Sequence, residues 1–194
     1  MPAGGAQPAD AMALDGDVPV HTTRLTLRRV AAGDLGDLLV VNGDDAVTRF
    51  LPYATWHTAA DAQAWFERMN ALQAAGGTAQ YVIEHRALGR VIGSCLLFRH
   101  DAGSARAELG YVLGRAHWGQ GLMHEALQGL IGHAFETLGL RRLEADVNPL
   151  NGASVRLLER LGFTREGLAR QRWVTKGVAC DALLFGLLRG EARP

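Results

Sequence analysis

The sequence predicts an α/β domain built on one mixed sheet with helices on both faces. Three observations predict it. Apolar and polar residues alternate in TTRLTLRRV near the N-terminus, the pattern of a half-buried strand. The runs AQYVIEHR, RVIGSCLLFR and ARAELGYVLG follow one another through short turns, which reads as an antiparallel meander. A strongly periodic helical run then separates the meander from another strand, RRLEADV, and a helical connection implies that the two flanking strands pair in parallel.

The elements follow in order. Residues 1 to about 20 are rich in Ala, Gly, Pro and Asp and read as a disordered tail, leaving a single domain over 21–194. In the first strand Leu25, Leu27 and Val30 are set against Arg24, Thr26 and Arg28. Asp34 is placed to cap a short helix through DLGDLLVV. A second helix runs from about Thr58 to Ala75, with Ala62, Trp65, Phe66, Met69 and Leu72 on one face. Thr58 and Asp61 lie at its start, where a hydroxyl cap and negative charge are favourable. After the meander, Leu122, Met123, Ala126, Leu127, Leu130, Ile131, Ala134, Phe135 and Leu138 recur at helical spacing, and Gly139 stops that helix. Asn151 caps the helix NGASVRLLERL, which Gly162 ends. Two last strands lie around RQRWVT and CDALLFGLL.

Composition narrows the function. Twenty basic and twenty acidic residues give no net charge, which argues against a nucleic-acid binder. The N-terminus lacks a basic start and a continuous apolar stretch, so it makes a poor signal peptide. No apolar run approaches the ~20 residues that cross a bilayer. A cytoplasmic enzyme or binding protein is expected, as a monomer or homodimer. Cys95 and Cys180 sit in apolar runs without a CxxC, so buried reduced thiols are expected. None of the seven histidines forms HExxH or a similar ligand cluster, so no metal is expected.

The segment RAHWGQGLMHEAL carries the chemistry. Two glycines, Gly119 and Gly121, sit where a strand feeds a helix. The first amides of a helix lack intrahelical partners, and the helix dipole is positive there. Glycine lets those amides approach an anion. The segment is not a P-loop, because GxxxxGK[ST] is absent, and not a Rossmann loop, because the third glycine of GxGxxG is missing. A glycine-rich turn with no ligand stays open as the plain alternative.

The run AELGYVLGRAHWGQGLMHEAL followed by VNPLNGASVRLLERLGF resembles the GNAT superfamily of acetyl-CoA-dependent N-acetyltransferases. More closely it is similar to the Rim-type acetyltransferases of ribosomal-protein N-termini, whose TRLTLR start and W-G-Q-G loop it shares. The resemblance spans about Thr23 to Leu188. It implies a mostly antiparallel sheet with two splayed parallel central strands. It implies that amides of Trp118, Gly119, Gln120, Gly121, Leu122 and Met123 bind the pyrophosphate of coenzyme A. The pantetheine would lie between the strands of ELGYVLG and RRLEADV, contacted by Tyr111, Val112, Leu113 and Asn151. Two positions depart from the family pattern. Ala116 stands where a Gln or Arg often begins the loop, beside Arg115. Leu158 stands where many members carry a tyrosine acid.

The resemblance implies direct transfer of an acetyl group from acetyl-CoA to a primary amine. The family in some branches carries a catalytic glutamate at the position of Glu108, and the Rim-like branch a serine at that of Ser154, near the coenzyme sulfur. Each has a plain alternative: Glu108 as a strand glutamate paired with an Arg such as Arg106 or Arg142, and Ser154 as a helix-start residue satisfying a free amide. The protein or peptide α-amine is the favoured acceptor, because its reference pKa near 8 lies well below that of lysine. A small amine (an antibiotic, a polyamine or an amino acid) and a non-catalytic acyl-CoA sensor are the alternatives. Phe50, Tyr53 and Trp56 either line the acceptor pocket or pack.

Overall fold

Eight strands form one sheet in the computed structural model, which describes Leu14 and residues 17–192. They are β1 (Val20–His21), β2 (Leu25–Arg29), β3 (Ala79–His85), β4 (Arg90–Asp101), β5 (Arg106–Leu113), β6 (Arg142–Val147), β7 (Thr164–Thr175) and β8 (Val178–Leu188). The helices are α1 (Leu35–Asn42), α2 (Asp45–Thr48), α3 (Ala59–Ala74), α4 (Leu122–Glu136) and α5 (Gly152–Arg160). The order across the sheet is β1-β2-β3-β4-β5-β6-β8-β7. The meander β3-β4-β5 is antiparallel, and β5 and β6 pair in parallel around α4. This is the GNAT fold that the sequence resemblance implied.

Strand alternation divides the core in two. On β3, Tyr81 and Ile83 point to one face and Val82 to the other, as a period of two requires. The first face is the larger. Leu25, Leu27, Leu109, Leu143 and Ala145 of the strands meet Leu122, Leu127, Leu130 and Phe135 of α4 and Leu158 of α5. The second face is covered by α1 and α3 through Leu38, Ala62, Trp65 and Met69, together with Trp56. Val30, expected beside Leu25 and Leu27, lies in this second cluster, because it is an odd number of residues away from them. Val82 and Val91 complete the second cluster, which sits at the β2–β4 side.

Two expectations need correction, the side-chain cap at Asp34 and the burial of Cys180. Residues 1–13, 15 and 16 of the expected tail lie outside the described residues. Of its described part, Leu14 is 3% exposed and donates its N–H to the Gly76 carbonyl at 3.1 Å, residues 17–19 are exposed, and Val20 pairs with Leu27. Asp34 does not cap α1 with its side chain. Its carboxylate turns back to accept from the Ala31 N–H at 2.8 Å and from both Arg28 Nη atoms at 2.8 Å. Cys95 is buried, but Cys180 is only half-buried, with Sγ near the Trp173 carbonyl and the Thr175 hydroxyl. It faces polar groups because β7 lies at the sheet edge and most of its residues are exposed.

The start of α4 is tied to the sheet edge. Glu125, in its first turn, accepts from the Thr22 hydroxyl, the Arg24 N–H and Arg24 Nε, each at 2.6 Å. Arg24 Nη1 reaches on to the Gln120 carbonyl at 3.1 Å. Burial pushes the Glu125 carboxyl up, but the Thr22 and Arg24 donors and the Arg24 charge outweigh it and hold the group below its ordinary value. A folded-state pKa below the unfolded one stabilises the fold above the unfolded carboxylate pKa, and that stability is lost as pH falls through the folded value. Glu125→Gln is therefore expected to lower the melting temperature at pH 7 by roughly 2–4 °C. The gap to the parent should close by about pH 3, below the ordinary carboxylate range. Thermal unfolding followed by circular dichroism at both pH values checks this.

Candidate active site

Gly119 and Gly121 have φ of 72° and 74°, the left-handed region that side-chain-bearing residues avoid. Gly121 is the residue before α4. A Cβ added at Gly119 would meet nothing within 4 Å, so the loop is open on that side. Among the described residues, no main-chain amide from Gly119 to His124 donates to a protein acceptor. The Trp118 amide differs from the sequence expectation, because it donates to the Arg115 carbonyl at 3.2 Å. The Trp118 indole Nε1 donates to the Leu113 carbonyl at 2.8 Å and pins the loop to the end of β5. The side chains of Leu122 and Met123 are buried in the core, so these two residues offer the loop only their amides. Consecutive free donors at a helix N-terminus, where the dipole is positive, are an arrangement chemically able to hold an anion.

The loop adjoins an opening in the sheet. β5 and β6 pair from Arg106–Glu108 to Arg142–Glu144 and then part, although the strands continue to Leu113 and Val147. Gly114 donates to the Ile92 carbonyl at 2.8 Å. Because antiparallel pairs alternate, the main-chain groups of Gly110 and Val112 are turned to β4. Those of Leu109, Tyr111 and Leu113 are turned across the gap towards β6. The gap is thus lined by the Leu109 carbonyl and the peptide groups of Tyr111, with the Leu113 carbonyl already held by Trp118. Val112 has its main chain committed to β4 and its side chain buried.

Asn151 caps α5 as its position foretells: Oδ1 accepts from the Ser154 N–H at 3.2 Å. Ser154 is half-buried in the first turn of α5. The hydroxyl of Tyr111 is shielded from solvent and makes no hydrogen bond of ordinary length. Burial pushes it up to about 12, and the neighbouring Ser154 hydroxyl draws it partly back. Tyr111 and Ser154 thus face each other on the α4/α5 side of the sheet. Leu158, where many relatives carry a tyrosine, is fully buried in the core.

Glu108 lies on the opposite face and is 8% exposed. Its partner is neither Arg106 nor Arg142. Those two bind Glu144, at 2.7 Å each. Both Glu108 oxygens instead accept from Arg99 Nη1, at 3.0 and 3.1 Å. Arg99 comes from a bulge in β4, where the pairing with β5 slips between Phe98 and Asp101. It has a φ of 51°, unusual for an arginine. Without the bulge, alternation would send Arg99 to the other face from Phe98 and Glu108. Its guanidinium lies 4.8 Å from the ring centre of Trp173, on β7. Arg172 lies 5.4 Å from the same ring and pairs with Asp146 at 2.7 Å, while Trp173 Nε1 donates to Asp146 at 3.2 Å. The tip of the β7–β8 hairpin reaches α2, where Lys176 Nζ donates to the Thr48 carbonyl at 3.0 Å.

Sequence reasoning did not single out Arg99, Asp146, Arg172 and Trp173, the group joined to Glu108 through Arg99. RQRWVT was legible as a strand, but no pattern in it announces the bulges that turn Trp173 towards Arg99. The aromatic stretch VTRFLPYATWHT resolves mostly to packing. Trp56 is 6% exposed and packs against Trp65 with ring centres 5.6 Å apart and planes tilted by 52°, and the Tyr53 hydroxyl donates to Asn42 Oδ1 at 2.8 Å. Among the described residues no cluster of three His, Cys, Asp or Glu could hold a metal ion, and no helix is long and apolar enough to cross a membrane.

Comparison with known proteins agrees with this geometry. The model of the acetyltransferase (GNAT) domain matches residues 24–164. The uncharacterised N-acetyltransferase p20 of Bacillus licheniformis is 37% identical over 172 residues, covering 89% of this chain and 97% of the relative. The ribosomal protein uS5-alanine N-acetyltransferase of Escherichia coli (strain K12) is 37% identical over 86 residues, 44% of each chain. The solved structure of Mycobacterium smegmatis RimJ in complex with CoA-disulfide superposes with a TM-score of 0.82 at 23% identity, covering 90% of this chain and 89% of that one. With the family model matched over most of its length, the chain belongs to the GNAT family and is an acetyl-CoA-dependent N-acetyltransferase.

Proposed function

We propose that the protein transfers the acetyl group of acetyl-CoA to the N-terminal α-amine of a protein or peptide. The relative that acetylates the alanine of ribosomal protein uS5 supports a protein acceptor. One observation favours an α-amine over a polyamine. The carboxylates on β5 and β6 at the fork already have arginines: Glu108 has Arg99, Asp146 has Arg172, and Glu144 has Arg106 and Arg142. A polycation would find few uncompensated negative charges there. A singly charged ammonium needs only one proton acceptor.

In this reading the free amides of Gly119, Gln120, Gly121, Leu122 and Met123 hold the diphosphate. The peptide groups of Tyr111 and the Asn151 side chain hold the pantetheine arm. Glu108 takes a proton from the acceptor ammonium. The neutral nitrogen then attacks the thioester carbon, and the carbonyl electron pair moves to oxygen. Collapse of that intermediate breaks the carbon–sulfur bond and releases the thiolate, while the nitrogen loses its second proton. Ser154 donates a hydrogen bond to the departing sulfur. Tyr111, kept protonated by burial, stands behind Ser154. The products are an N-acetyl amide and free CoA, with one proton released overall. An α-amine, with a pKa near 8, needs far less help to become neutral at pH 7 than a lysine amine near 10.4.

Three outcomes are expected. Glu108→Gln should lower kcat by about 10²–10⁴-fold, the usual contribution of general-base catalysis, with acetyl-CoA affinity retained. Steady-state kinetics with calorimetric acetyl-CoA binding checks this. Val at both Gly119 and Gly121 should weaken acetyl-CoA binding at least tenfold, because each forces a side chain into a left-handed backbone and into the cradle. An acceptor panel scored by CoA thiol released should rank short peptides with a free α-amine above spermidine and above N-acetylated peptides carrying lysine. Spermidine at the head of that ranking would refute the proposed acceptor.

A further inference from the structure

We propose that Arg99 is a specificity residue that reads the carbonyl oxygen of the acceptor's first residue while Glu108 takes the proton from its amine. The inference rests on the α-amine reading above. It starts from an unspent capacity. A guanidinium carries five N–H donors. Both bonds to Glu108 leave from Nη1, and Nε and Nη2 have no protein acceptor among the described residues. The Arg99 side chain is 47% exposed while that of Glu108 is 11% exposed, so the unused donors face outward from the buried base.

The placement of Arg99 is specific. A bulge and a left-handed backbone put it on the face of Glu108, and sparsely populated backbone of this kind persists only where the surroundings hold it. The Arg99 guanidinium carbon lies over the Trp173 ring, 4.8 Å from its centre. A planar donor fork fixed in orientation beside a base suits an acceptor with a dipole close to its amine. In an α-aminoacyl unit the amine nitrogen and the carbonyl oxygen are separated only by Cα and the carbonyl carbon. One residue can therefore place its nitrogen at Glu108 and its oxygen at the free edge of Arg99. A lysine side chain or an alkyl polyamine has no oxygen at that distance.

The neighbouring surface fits the rest of such an acceptor. A hollow of about 380 Å³ opens beside Arg99, lined by Leu72, Ala75, Thr78, Leu96 and Phe98. Leu96 and Phe98 extend over Gly110 on the same face as Glu108: a Cβ at Gly110 would sit 2.7 Å from Leu96 Cδ2. The hollow is mostly apolar and gives the first side chain of the acceptor a place apart from the reacting amine.

The test compares L-alaninamide with isopropylamine, which replaces the carboxamide with a methyl group. The readout is the ratio of their kcat/KM values in the parent, Arg99→Met, Arg99→Lys and Trp173→Leu, each first checked for an unchanged melting temperature and acetyl-CoA affinity. Both acceptors lose whatever Arg99 does for Glu108, and the difference between their amine pKa values is common to every variant, so the change in the ratio from parent to variant isolates the carbonyl contact. The ratio in the parent should exceed that in Arg99→Met at least tenfold, a typical value for a hydrogen bond from a charged donor. It should recover partly in Arg99→Lys and fall in Trp173→Leu. Equal losses on both acceptors in Arg99→Met, with the ratio intact, would show that Arg99 only orients Glu108 and would overturn the proposal. A parent that turns over spermidine but neither test amine would instead remove the α-amine reading, and this inference with it.

Discussion

β5 and β6 are hydrogen-bonded side by side only along Arg106–Glu108 and Arg142–Glu144, and beyond that point they diverge. The rest of the site depends on this short parallel contact. A longer ladder would spend the Leu109 carbonyl and the peptide groups of Tyr111 on β6 and leave no opening. A shorter one would let the two halves of the sheet separate, since this contact joins β1–β5 to β6–β8. Side chains at the fork inherit its geometry. Glu108 and Glu144 are the last paired residues, face the same way, and mark the closed end of the gap.

Two arginine-bound carboxylates at one fork raise a question of charge. Carboxylates directly across a strand pair repel one another. Here Arg106 and Arg142 neutralise Glu144, and Arg99 neutralises Glu108. Arg142 also binds Glu166 on β7 at 2.6 Å, so the chain of ion pairs runs from the meander to the last hairpin. These pairs are half exposed and individually contribute little to stability. What they govern is orientation. They hold each carboxylate in one place, and only Glu108 combines burial with a position beside the gap.

Much of this architecture was legible in the residues. The 3.6-residue period of α4 is unbroken, the two glycines just before it are unambiguous, and a helix between two strands leaves little choice but parallel pairing. The open glycine loop with its free amides follows from the same letters. The partner of Glu108 was not legible. Arg106 and Arg142 are its neighbours by alternation and register, and either was a reasonable expectation. Arg99 displaces them through a β-bulge, and RHDAGS carries no residue that demands one. Trp173 is hidden for the same reason, because the β7–β8 pairing slips between Ala169 and Trp173. Bulges change facing by one residue at little cost in composition, so a period-two reading misplaces whatever lies beyond them. The role of Val30 was misread more simply, by grouping residues of unequal parity.

The bond from the Trp118 indole to the Leu113 carbonyl has a thermodynamic corollary. Together with the Arg24 contact to the Gln120 carbonyl, it braces the glycine loop from both ends before any nucleotide arrives. Donors that are already aimed need not be ordered upon association, so little conformational entropy is forfeited at that step. On the proposed reading of the loop, recognition of the carrier is closer to a rigid socket than to a folding event, and its heat signature should be dominated by the contacts themselves.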